Sequence, residues 1–101
     1  MIIPLETVDQ GTFAPLTGQS FTTTTPDGAS VALELSEARM LGHKRPEAAR
    51  DPFSLTFVAA PGLRLPQGIY RFSCAALGEL DLFITQLADG PQRAIFEAIF
   101  T

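Results

Sequence analysis

Tryptophan is absent from this 101-residue chain, and cysteine, histidine and tyrosine each occur once. A lone cysteine closes no internal disulfide, and one Cys with one His falls short of the four ligands of structural zinc. Basic residues are also scarce. Seven Lys and Arg stand against eleven Asp and Glu, for a formal net charge of −4 and a pI of about 4.7. Nucleic-acid binders turn a basic field toward the phosphates, so nucleic acid is not an expected partner, nor is an anionic membrane surface. No apolar run approaches the roughly 18–20 residues that span a bilayer. The opening MIIPLETVDQ lacks the basic stretch and apolar core of a secretory leader. With one cysteine, the expectation is a reducing, cytoplasmic setting. Phosphate-cradling loops of the G-x-x-x-x-G-K-[ST] or G-x-G-x-x-G type are missing, and no serine lies in G-x-S-x-G. No cofactor is expected.

What the chain does have is alternation. Apolar residues make up 46% and include eight Phe, enough for one domain with a core of its own, burying roughly 60–70% of its unfolded surface. From Gln19 the pattern has period two. Phe21, Thr23 and Thr25 alternate with Thr22 and Thr24, the turn Pro26-Asp27-Gly28 follows, and Val31, Leu33 and Leu35 alternate with Ala32, Glu34 and Ser36. Pairing Thr25 with Val31, and hence Phe21 with Leu35, gathers the larger apolar side chains on one face. Ala38 and Met40 fall on the opposite parity, so a bulge near Ser36–Ala38 is expected.

A third strand is expected around Phe53, Leu55 and Phe57, and a fourth around Tyr70, Phe72 and Cys74. A final hairpin runs from Leu77 to Leu87 and from Arg93 to Phe100. Placing Phe83 opposite Glu97 puts Leu80, Leu82 and Ile84 with Phe96, Ala98 and Phe100 on the inner face. Before the strands, Thr7 and Gln10 have capping-box spacing, and Val8, Phe13 and Leu16 form a stripe. Together these predict one short helix or turn over residues 7–16, ended by Gly18. The fold class read from the sequence is mainly β: a six-stranded antiparallel barrel or sandwich with one short N-terminal helix, in a single domain. No repeat, heptad or low-complexity tract interrupts it.

Few residues offer chemistry. His43 lies in the polar segment GHKRPEAARDP beside Lys44 and Arg45 and reads as a solvated loop residue. Cys74 shares a face with Phe72 and reads as a small core hydrophobe. Glu79, Asp81 and Glu97 share one sheet face. They are candidates for a hard cation, but equally the solvent-facing half of two amphipathic strands. The more suggestive feature is that the same face also carries Phe83, Ile95 and Ile99. Contiguous exposed apolar side chains mark interfaces, unless another element, such as the N-terminal segment, covers them.

Several segments taken together carry a resemblance: FAPLTGQSF (Phe13 to Phe21), DPFSLTFVAAP (Asp51 to Pro61), LPQGIYRF (Leu65 to Phe72), LGELDLFI (Leu77 to Ile84) and FEAIF (Phe96 to Phe100). Their order and spacing resemble a family of small bacterial domains of unknown function, DUF6916, whose pattern reads FxxLxGxxF, PFSLxF, QGxY, LGxLxLF and YEAxF. Phe96 stands where the family favours Tyr, and Ile84-Thr85 replaces a more apolar continuation. The resemblance implies a shared β fold. Through the company such domains keep beside tail-collar-like proteins, it also implies an accessory role in a phage-tail-like system. Physically, most of the signature describes folding: aromatic residues two or four apart build a core, and Gly sits at strand entries.

The functional expectation is a non-enzymatic binding or assembly domain that meets a protein partner or associates with itself. Its contact surface is placed on Phe83, Ile95, Glu97 and Ile99 and on the 42–52 loop with His43, Lys44 and Arg45. The alternatives are a ligand-binding barrel, for which six strands are few, and a hydrolase using Cys74 and His43.

Overall fold

The alternating segments become six antiparallel strands: β1 (Ser20–Thr24), β2 (Ser30–Met40), β3 (Phe53–Ala59), β4 (Gly68–Cys74), β5 (Gly78–Asp89) and β6 (Ala94–Phe100). They close in the order β1-β2-β3-β6-β5-β4, with β4 returning to β1. The structure is a computed structural model that describes residue 3 and residues 8–42, 52–89 and 91–100. Of the two architectures left open by the sequence, the closed barrel is the one adopted.

Turn chemistry sets the registers. At the first hairpin the Thr25 N–H donates to Ala29 O at 2.7 Å and the Gly28 N–H to Thr25 O at 2.9 Å. Gly28 takes φ +94° there, a conformation that costs glycine little. The Thr25 hydroxyl donates to the Asp27 carboxylate. That bond first, and the Ala29 N–H second, hold the Asp27 carboxyl below its ordinary pKa. Because Thr25 faces Ala29 across this tight turn, Phe21 pairs with Leu33 and Thr23 with Val31. The expected pairing of Phe21 with Leu35 is corrected by two residues. The last hairpin is corrected likewise: Glu97 faces Thr85, with a bulge between Gln86 and Ala88 and Asp89 opposite Ala94. A slip of two preserves which face each side chain takes, so both inner faces stand as read. The bulge in β2 lies between Leu35 and Glu37, where the parity change demanded it.

The interior is filled. Phe21, Leu33, Leu35, Phe53, Leu55, Phe57, Phe72, Leu80, Ile84 and Phe96 are all fully buried. From β3, the Phe57 ring reaches across to Phe21 on β1 (5.3 Å between centroids, 75°) and Phe72 on β4 (5.2 Å, 36°). Edge-to-face and tilted packing of this kind favours the rings beyond the area they bury. Rings meeting from opposite walls occupy the middle of the barrel.

Each end of the barrel is stoppered. At one end sits a single-turn helix, α1 (Gln10–Phe13), continued by a 3₁₀ turn over Ala14–Leu16. Phe13 is fully buried, its ring 5.9 Å from Phe53 and 5.8 Å from Phe100, which stack on each other at 4.5 Å. The cap is Asp9, correcting the expected Thr7–Gln10 box: its carboxylate accepts the Thr12 N–H at 3.0 Å, and the Thr12 hydroxyl accepts the Asp9 N–H at 3.2 Å. Thr7 lies outside the described residues. Gln10 Nε2 donates to Ala38 O at 2.9 Å, tying the helix to β2 just past its bulge.

At the other end the β3–β4 connection folds over and inserts Leu65, which is 3% exposed. Gln86 holds that segment, its Nε2 donating to Leu63 O at 2.8 Å and its Oε1 accepting the Leu65 N–H at 3.1 Å. The Tyr70 hydroxyl adds a bond to Pro66 O at 2.6 Å, and burial pushes its pKa up.

Candidate functional site

The alternation that builds the core also decides what faces outward, and on three adjacent strands the outward residues are large and apolar. Ile69 on β4 pairs with Phe83 on β5. The β5–β6 ladder begins with Thr85 opposite Glu97, and Phe83 and Ile99 flank its start on the same outward face. Along these three adjacent strands Ile69, Phe83 and Ile99 make an outward apolar row, 71%, 51% and 57% exposed respectively. Next in line is Ser54 on β3, buried between Ile99 and Arg39 of the flanking strands.

Of the expected contact residues, Phe83 and Ile99 share that outward face. Ile95 is half-buried between Val58 and Ala88, two rows further along, and Glu97 is half-buried between Thr56 and Thr85. Of the N-terminal segment considered as a cover, the Ile3 N–H donates to Glu79 O at 2.8 Å on β5, while residues 1–2 and 4–7 lie outside the described residues. His43, Lys44 and Arg45, with most of the 42–52 loop, lie outside the described residues. Ile69 completes the row yet was no candidate from sequence. Its signal, an outward β-branched residue between Gly68 and Tyr70, gains meaning only once β4 is registered against β5.

The row ends at the seam where the barrel closes. β1 and β4 share a single Cα pair, Thr22 with Ser73, and side chains take over from the backbone ladder. Thr23, 4% exposed, donates its hydroxyl to Arg71 O at 2.8 Å, and the Thr22 and Ser73 hydroxyls meet at 2.8 Å. Past these bonds β1 ends at Thr24, just before Pro26, while β4 runs back to Gly68. The gap is a groove of about 380 Å³ lined by Thr24, Pro26, Gly68, Ile69, Tyr70 and Arg71. It lies on the outer wall, next to the exposed row.

Residues with potential chemistry are scattered. Cys74 is half-buried at the end of β4 and packs against the core. Asp81 is bound to Arg71, Nε to Oδ1 at 2.7 Å and Nη2 to Oδ2 at 3.4 Å. That guanidinium holds the Asp81 carboxyl below the usual carboxylate range, and the carboxylate raises the Arg71 pKa in turn. Glu79 pairs with Ser73, while Glu97 sits beyond Phe83. Among the described residues no three His, Cys, Asp or Glu side chains gather closely enough to hold a metal ion. No helix among the described residues is long and apolar enough to cross a membrane.

The profile of a family described as a domain of unknown function (DUF6916) matches residues 8–100. The chain belongs to this family. The match runs from Val8, where the chain enters α1, to Phe100, which closes the core beneath Phe13, so it embraces the barrel and the α1 stopper. Neither curated proteins nor solved structures gave a match.

Proposed function

We propose that this domain is a non-enzymatic binding and assembly module that docks a protein on the Ile69–Phe83–Ile99 row. The observation that carries this reading is the row itself. Three large apolar side chains stand more than half exposed on one outward face, two of them paired across β4 and β5, where an outward face ordinarily carries polar residues. Supporting it, aromatic rings meet inside the barrel, and among the described residues no three His, Cys, Asp or Glu side chains gather closely. The setting is an accessory role in a phage-tail-like assembly, as the sequence resemblance implies.

Size-exclusion chromatography with light scattering, combined with affinity capture, tests the reading on wild type and on Phe83→Asp. Expected is a protein complex formed by the wild type and lost in the variant, with both proteins equally folded by circular dichroism. A strict monomer that retains no partner, or a complex indifferent to Phe83→Asp, would overturn it.

A further inference from the structure

We infer that the partner docking on this row is a different polypeptide, whose apolar ridge is flanked by lysine or arginine, and not a second copy of the chain. The inference rests on the docking reading above and adds the chemistry of the occupant.

The argument is the charge that frames the row. On one flank Glu97 lies two residues before Ile99 on the same face, and through Thr56 the same line of the wall continues to Glu37. On the other flank Asp81 and Glu79 precede Phe83 along β5. Among the described residues two arginines lie on this part of the wall. Arg71 and Asp81 cancel as a hydrogen-bonded pair, which leaves Glu79, Glu97 and Glu37 against Arg39, beyond Ser54 at the far end. The framed surface is therefore acid-biased, in keeping with the formal charge of −4 on the whole chain.

A twofold contact apposes a surface to itself. Two copies meeting on this row would set that acid-biased frame against its own image, and like charges brought together across an interface cost affinity. A basic-flanked ridge meets the same frame with opposite sign, which speeds encounter and fixes orientation. The seam groove supplies the third element. It opens beside Ile69, and the space where a Gly68 Cβ would stand is empty to 4 Å. One large apolar side chain of the partner fits there as an anchor, the usual arrangement of an interface hot spot. Amphipathic segments that lay an apolar face on a hydrophobic surface have this pattern.

The test uses the full-length, ¹⁵N-labelled protein and two defined probes: short amphipathic peptides with the same leucine ridge, flanked by lysine in one and glutamate in the other. Expected are chemical-shift changes at Ile69, Phe83, Glu97 and Ile99 with the Leu/Lys peptide, with affinity falling about tenfold as salt screens the charges. Glu97→Lys and Glu37→Lys, the latter at an exposed position, should each weaken that peptide and favour the Leu/Glu one. If the Leu/Glu peptide binds the row as tightly, or the wild type forms a dimer that Phe83→Asp abolishes, the inference about the partner fails while the docking reading survives. If neither peptide moves the row and no dimer or complex forms, both fail.

Discussion

Thr23→Val tests how the barrel is closed. The substitution keeps the β-branched shape and the buried volume, so what is removed is the hydroxyl that donates to Arg71 O at 2.8 Å. At other junctions four to seven backbone pairs share the load, whereas β1 and β4 have one. A typical intramolecular hydrogen bond contributes about 1 kcal/mol net, and an acceptor left without a partner costs about 1–3 kcal/mol. The expected loss is about 1–2 kcal/mol, against a total stability of about 5–15 kcal/mol for a domain of this size. With urea slopes of about 1–3 kcal/mol per molar, the unfolding midpoint should fall by roughly 0.5–1 M at unchanged slope. Circular dichroism is the appropriate signal, because Tyr70 is the one tyrosine and there is no tryptophan. Amide exchange adds a local check: seam amides of β1 and β4 should exchange about tenfold faster for each 1.4 kcal/mol lost locally, beyond any global change. Ser73→Ala, which removes the solvent-facing hydroxyl pair, should stay within about 0.5 kcal/mol. An unchanged midpoint with seam amides as protected as those of β3 would refute the claim that side chains close the ring.

Phe13→Ala empties the space above the Phe53–Phe100 stack and should cost about 3–5 kcal/mol by denaturant unfolding; a loss under about 1 kcal/mol would show that α1 is no stopper. Gln86→Ala removes both bonds to the β3–β4 connection, so trypsin should cut after Arg64 faster than in the wild type while far-ultraviolet dichroism is unchanged; equal cleavage rates would remove Gln86 from that role. Asp81 should titrate below an ordinary aspartate, read from its carboxyl ¹³C shift, and move back up toward the ordinary aspartate range in Arg71→Gln. Because its folded pKa is depressed, the pair's contribution is present above the unfolded value and is lost as pH falls through the folded one; a titration unmoved by Arg71→Gln would contradict the assignment.

The alternation of Phe, Leu and Ile made the strands and their inner faces legible, because parity survives a register error of two. Registers themselves were not legible. They depend on where a turn closes: Thr25 bonding Ala29, and the bulge at Gln86–Ala88, each moved a hairpin by two residues. The helix cap was misread because Asp9 works with Thr12, where the spacing of Thr7 and Gln10 looked more familiar. On the outward face, Phe83 and Ile99 followed from parity alone. Ile69 did not, because a row running across strands exists only in three dimensions. The stoppers Phe13 and Leu65 were equally hidden, since nothing local says which end of a barrel a loop residue will fill.

A sheet rolled into a complete ring has neither a first nor a last strand. Most β domains must guard two unsatisfied borders against pairing with strangers, and those borders are also where they grow into fibres. Here the borders meet at a single Cα pair of the β1–β4 junction, helped by side-chain bonds, and part again at the groove. A partner of the kind proposed would therefore grip side chains along most of the wall, and such a contact saturates after one partner has taken its place.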